Sequence, residues 1–186
     1  EIGALDYREK APLAASKDMY LDADKNVIKG KSTLGSMAVG IPGTVAGVFE
    51  THRKFGSLPM KDILQPVIAL AKRGVIVTKK QATRIKSYQA RFLSVNKDSI
   101  LFNKNWKEND TIKYNALAAT LTRIQKNGSD EFYKGETAKK LVAFIQANGG
   151  IMTLEDLTKY EAKWRTPITF KYDDLKVISM SPPSSG

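Results

Sequence analysis

Cysteine is absent from the chain. That excludes disulfides, thiolate catalysis and zinc sites built on Cys. Histidine occurs once, as His52, which is too few for a multi-His metal centre. No metal or cofactor is expected. No apolar run approaches the roughly 18 residues of a membrane-spanning helix, so no membrane span is expected in this segment. Acidic residues are few beside basic ones: 19 Asp and Glu against 30 Lys and Arg, a formal net charge of +11. Such an excess attracts anions in general without naming one. Of the 30 basic residues, 23 are Lys, a well-hydrated point charge that is weak at planar, bidentate recognition. The charge therefore reads as solvated surface, and no nucleic-acid partner is expected. An initiator Met and a signal peptide are also missing at the start. The sequence breaks off in the turn-like run Ser-Pro-Pro-Ser-Ser-Gly. It reads as a fragment: residues 1–186 as a single partial domain, with any targeting segment upstream.

What is present suffices for a buried core, with 42% hydrophobic residues in 186. Ile2, Ala4 and Asp6 alternate, predicting a strand and then a loop that Pro12 keeps from further pairing. Residues 22–43, rich in Asp, Lys, Gly and Ser, read as loop. Helical spacing follows over 44–55, closed by Gly56 as a left-handed cap. It recurs over 60–73, where Pro66 predicts a kink or the first turn of a second helix. Residues 79–93 carry Ile85, Tyr88 and Phe92 on one face. Residues 115–127 follow, with Asn115 as a cap and Gly128 as a stop, then 136–147. Thr153 and Asp156 form a weak capping box for a short helix reaching about Tyr160. Finally, Ile168, Phe170 and Tyr172 alternate, Asp173-Asp174 turns, and Leu175, Val177 and Ile178 complete a strand pair. Two strands do not make a stable sheet alone, so this pair is expected to meet strands from elsewhere. The class is α+β: a mainly helical middle with short flanking strands.

Several stretches in a fixed order resemble the large subunit of γ-glutamyltranspeptidases. They begin with Asp6-Tyr7-Arg8-Glu9-Lys10-Ala11-Pro12, Asp18-Met19-Tyr20-Leu21 and Gly40-Ile41-Pro42-Gly43-Thr44-Val45-Ala46-Gly47. Lys54-Phe55-Gly56 and Pro66 with Leu70-Ala71 and Gly74 come next. Glu131-Phe132-Tyr133-Lys134-Gly135, Asn148-Gly149-Gly150, Glu155-Asp156-Leu157 and Trp164-Arg165-Thr166-Pro167 follow, ahead of residues 179–186. Coverage is poorest over 79–113. The resemblance implies an N-terminal-nucleophile (Ntn) hydrolase with an αββα sandwich. In that family a precursor cleaves itself, and the new N-terminal Thr of the small subunit attacks the γ-glutamyl amide of glutathione and similar donors. It also implies a periplasmic, secreted or cell-surface location, a small subunit of the same precursor as partner, and no catalytic nucleophile in this fragment, which is expected to be inactive alone.

Arg8 is the candidate substrate-binding residue. A γ-glutamyl donor presents a free α-carboxylate, which a guanidinium grips with two parallel hydrogen bonds. The resemblance assigns that role to the Arg of Arg-Glu-x-Ala-Pro. Other suggestive residues read as ordinary. Thr51 and His52 lie inside a predicted helix, where the Thr amine is locked in a peptide bond and cannot serve as the base of an N-terminal nucleophile. Asp22, Asp24 and Asn26 lack the Gly and Glu of a calcium loop. Gly40, Pro42, Gly43 and Gly47 lack the Lys-Ser/Thr ending of a phosphate loop and read as close packing at a helix start. Residues 181–186 read as scaffold. Two alternatives stay open: a related Ntn hydrolase acting on poly-γ-glutamate, and a basic helical nucleic-acid-binding module using Lys79, Lys80, Arg84, Lys86 and Arg91. Arg8 speaks against a third, a cephalosporin side-chain acylase.

Overall fold

The computed structural model describes residues 2–96 and 100–184. Strand β1 (Ala4–Asp6) opens it, and a long stretch of turns leads to helices α1 (Thr44–Phe55) and α2 (Met60–Arg73). After β2 (Val75–Ile76) come α3 (Lys79–Val95), β3 (Thr111–Ile112), α4 (Asn115–Asn127), α5 (Asp130–Tyr133), α6 (Glu136–Ala147) and α7 (Leu154–Thr158). The strands β4 (Lys163–Arg165), β5 (Ile168–Tyr172) and β6 (Leu175–Ser179) close the described chain. This is the α+β mixture the hydrophobic spacing predicts. Among the described residues, no helix is long and apolar enough to cross a membrane.

Among the described residues three antiparallel strand pairs form: β1 with β4, β2 with β3, and β5 with β6. The first joins the two ends of the chain, setting Ala4 opposite Arg165, Leu5 opposite Trp164 and Asp6 opposite Lys163. Among the described residues two apolar clusters organise the helices. Ile41, Tyr133, Ala138, Val142, Ile145, Met152, Leu157 and Tyr160 form the larger one, with Val45 and Ala46 of α1 packed against it. Ile68, Ala71 and Ala118 form the smaller one between α2 and α4. The hairpin β5–β6 belongs to neither, and every residue of β5 is exposed.

Three local expectations are corrected and one is narrowed. Gly56 does end α1, but at φ −69°, ψ 130° rather than left-handed. A Cβ there would lie 2.3 Å from the His52 ring, so close approach is what requires glycine. Pro66 lies inside one continuous α2 and does not begin a second helix. Asn115 is the first helical residue, and the preceding cap position is Tyr114 with no side-chain bond. The short helix α7 stops at Thr158, before Tyr160. The capping box at Thr153 and Asp156 forms as expected, and a second one at Thr78 and Gln81 opens α3.

Candidate functional site

The loop after β1 carries Arg8 into a cavity of about 430 Å³. Three parts of the chain make its walls: residues 5–9, the start of α1 at Pro42, Gly43 and Thr44, and the terminal turn at Met180, Pro183 and Ser184. The first amides of a helix have no intrahelical acceptor. Together with the helix dipole they make the start of α1 positive. The cavity thus joins a fixed cation to a positive helix end, which suits a small carboxylate.

The guanidinium itself is lightly engaged. Its Nη1 donates to the Pro183 carbonyl at 3.4 Å, and its Nη2 lies 3.5 Å from the Glu9 carboxylate. Both side chains of that ion pair are more than half exposed, so it holds Arg8 weakly. The other acid nearby, Asp6, is committed elsewhere. Its Oδ1 accepts from the Arg8 amide at 3.1 Å, and its Oδ2 accepts from Arg165 Nε at 2.7 Å. The Arg8 amide and then the Arg165 side chain hold the Asp6 carboxyl below its usual range. Asp6 and Arg165 are diagonal neighbours on the β1–β4 ladder, near enough for their side chains to meet.

Behind the loop sits Tyr160, almost fully buried and stacked on Tyr133 with ring centroids 5.6 Å apart and planes 8° from parallel. Its hydroxyl donates to the Arg8 carbonyl at 2.7 Å. Burial, with Tyr133, Asp6 and Glu9 nearby, pushes its pKa up to about 12, so the phenol remains a donor. Tyr133 finishes the start of α1 by donating to the Pro42 carbonyl at 2.9 Å and accepting from the Ala46 amide at 3.1 Å. The α1 glycines act through packing, as expected. A Cβ on Gly43 would lie 2.0 Å from the Tyr160 hydroxyl and 2.1 Å from the Tyr7 carbonyl; one on Gly47 would lie 2.4 Å from the Tyr7 ring.

The remaining candidates are placed as follows. Thr51 donates to the Gly47 carbonyl one turn back, and the His52 Nε2 meets the Leu58 carbonyl at 2.7 Å. Both serve the helix and its exit. Asp22 Oδ1 accepts from the amides of Asp24 and Asn26, closing a turn on itself. Among the described residues, no cluster of His, Cys, Asp or Glu is disposed to hold a metal ion. The basic residues of α3 stay exposed, while Ile85 and Phe92 turn inward and Tyr88 remains open. Pro183 and Ser184, read from sequence as scaffold, also wall the cavity; Ser185 and Gly186 lie outside the described residues. Sequence reasoning missed Tyr160 and Arg165 as partners of the Arg8 loop. Neither carried a local signal, since both lie more than 150 positions from the loop in sequence.

Superposition on solved structures defines the class. The chain matches the Helicobacter pylori gamma-glutamyltranspeptidase with a TM-score of 0.93 at 40% identity, covering 100% of this chain and 54% of that one. It matches the gamma-glutamyltranspeptidase from Pseudomonas nitroreducens, solved with L-DON, with a TM-score of 0.92 at 40% identity over 97% of this chain and 54% of that one. The family model described as Gamma-glutamyltranspeptidase covers residues 1–186, and the chain belongs to that family. The glutathione hydrolase proenzyme of Escherichia coli K12 is 42% identical over 187 residues, taking in 98% of this chain and 32% of that protein. The chain therefore spans about a third of the length of such relatives.

Proposed function

We propose that this chain is a large-subunit segment of an autoprocessed enzyme that cleaves γ-glutamyl amides such as glutathione. In this reading Arg8 binds the α-carboxylate of the donor. The nucleophilic Thr comes from the small subunit of the same precursor. Its hydroxyl adds to the γ-amide carbonyl, the C–N bond breaks, and the departing amine takes up the proton. The γ-glutamyl ester then passes its acyl group to water, an amino acid or a peptide. The observation that carries the reading is the placement of Arg8: an unsaturated guanidinium facing a cavity that also receives the start of α1.

Two further features support a larger whole. Curated relatives are called proenzymes and are about three times as long. The β5–β6 hairpin exposes Phe170, Tyr172 and Leu175, apolar surface that more strands of an αββα sandwich would cover. Family membership supports a periplasmic, secreted or cell-surface location. The test is donor choice by the complete protein. It is expected to hydrolyse γ-glutamyl-p-nitroanilide and to handle the γ-aminobutyryl analogue, which lacks the α-carboxylate, at least tenfold less well in kcat/KM. Equal use of the two would refute the carboxylate assignment.

A further inference from the structure

We propose that Tyr160 and Asp6 are positioning residues that set the Arg8 loop for carboxylate binding, which makes the segment 153–165 a specificity element of the γ-glutamyl site. The proposal rests on the reading of Arg8 given above.

The guanidinium is exposed, and its contacts to Pro183 and Glu9 are long. Its accuracy therefore has to come from the backbone that carries it. A binding group displaced by about 1 Å loses much of its effect. That backbone is gripped on both sides of Arg8: the amide donates to Asp6 Oδ1 at 3.1 Å and the carbonyl accepts from Tyr160 at 2.7 Å. Each grip is itself immobilised. Arg165 clamps Asp6 with Nε at 2.7 Å and Nη2 at 2.6 Å from Oδ2. The stack on Tyr133 fixes the Tyr160 ring. Further along the loop, the Leu13 amide donates to Asp156 Oδ1 at 2.6 Å, and Lys10 Nζ donates to the Glu161 carbonyl at 3.2 Å. Apart from Asp6 and the backbone bridge from Lys10 to Ile41, these anchors come from residues 156–165, about 150 positions away in the chain. Tyr160 does not line the cavity, so it acts on the donor only through the groups it holds, of which the Arg8 carbonyl is the one it hydrogen-bonds.

A double-mutant cycle on the complete, processed enzyme decides this, read as KM and kcat for γ-glutamyl-p-nitroanilide. Removing one neutral hydrogen bond from the loop, Tyr160→Phe is expected to raise the donor KM roughly fivefold with kcat within about twofold. In the Arg8→Ala background the same change is expected to add nothing, because the group it positions is gone. An equal KM increase in both backgrounds, or none in either, would overturn the positioning role. If Arg8→Ala alone left KM unchanged, the carboxylate reading would fall first and the positioning role with it. Should Tyr160→Phe not process, the cycle with Asp6→Asn decides by the same outcomes.

Discussion

Gly43 and Tyr160 touch so closely that the smallest side chain on the glycine would overlap the tyrosine hydroxyl, its Cβ falling 2.0 Å from that oxygen. The start of α1, the Arg8 loop and the buried tyrosine pair are thereby packed into one unit. Neither the Tyr7 carbonyl, 2.1 Å from the same point, nor the stacked phenol can withdraw without opening the loop. Gly43→Ala is expected to destabilise the protein by about 1–3 kcal/mol and to loosen the donor site. Thermal unfolding together with the donor KM checks it; a variant matching the parent in both would refute this account of the glycine.

A second buried unit ties α4 to α5 and α6. Glu131, 5% exposed, accepts from Arg123 Nε at 3.0 Å, the Thr137 amide at 3.1 Å and the Thr137 hydroxyl at 2.9 Å. Burial works to raise the Glu131 pKa, but the bonds from Thr137, Arg123 and Asn127 together lower it. Arg123→Ala leaves that carboxylate without its cation and is expected to cost roughly 3 kcal/mol. Denaturant unfolding would show it, and a loss below about 0.5 kcal/mol would contradict the assignment.

Among the described residues six carboxylates are held below their usual range; the well-exposed Glu9 and Glu136 add little, and the acid sensitivity follows from the other four. Arg53 and Trp164 lower Glu50 from 4.5 to about 2, and Asp6, Glu131 and Asp156 are also lowered. For Asp156, burial opposes the shift, while the Leu13 amide and Thr153 overcome it. A carboxylate whose folded pKa lies below its unfolded value binds more protons unfolded than folded between the two. Its stabilisation is complete above the unfolded value and lost as pH falls through the folded one. Stability from these groups is therefore expected to be level above about pH 5 and to fall from there toward pH 2. Melting temperatures across that range test it, and a midpoint that rose on acidification would be incompatible.

The helix α3 carries Lys79, Lys80, Arg84, Lys86 and Arg91 and no acidic residue. None of the five has an ion pair to a described residue; Arg91 donates to the Thr33 carbonyl at 3.2 Å. Its half-buried residues, Ala82, Ile85, Gln89 and Phe92, recur at three and four, so the cations point to water. Solvated lysines bind DNA only loosely, so any gel shift at low salt is expected to vanish by physiological ionic strength. Retention there would favour the nucleic-acid reading.

How much of this could be read beforehand depends on distance along the chain. The 3.6-residue period placed α4 and α6, and alternation about Asp173-Asp174 placed the β5–β6 hairpin, because those signals are local. Lys163-Trp164-Arg165 alternates over only three residues, too few to announce a strand, and it pairs because β1 lies beside it. Thr78-Lys79-Lys80-Gln81 is a local capping signature, and the box it spells opens α3. The four-residue α5 was too short to announce itself. Arg8 was readable only through its motif. Its bond to Tyr160, which closes 152 positions, left no trace in either neighbourhood, since burial and ring stacking are products of the fold.

The most direct measurement is the donor KM of the complete enzyme with Arg8→Ala, alongside Arg8→Lys. Charge-assisted bonds contribute about 1.5–3 kcal/mol each, so loss of the guanidinium is expected to raise KM at least tenfold, with lysine restoring only part of it. A KM for γ-glutamyl-p-nitroanilide that stayed at the parent value in Arg8→Ala would contradict the account.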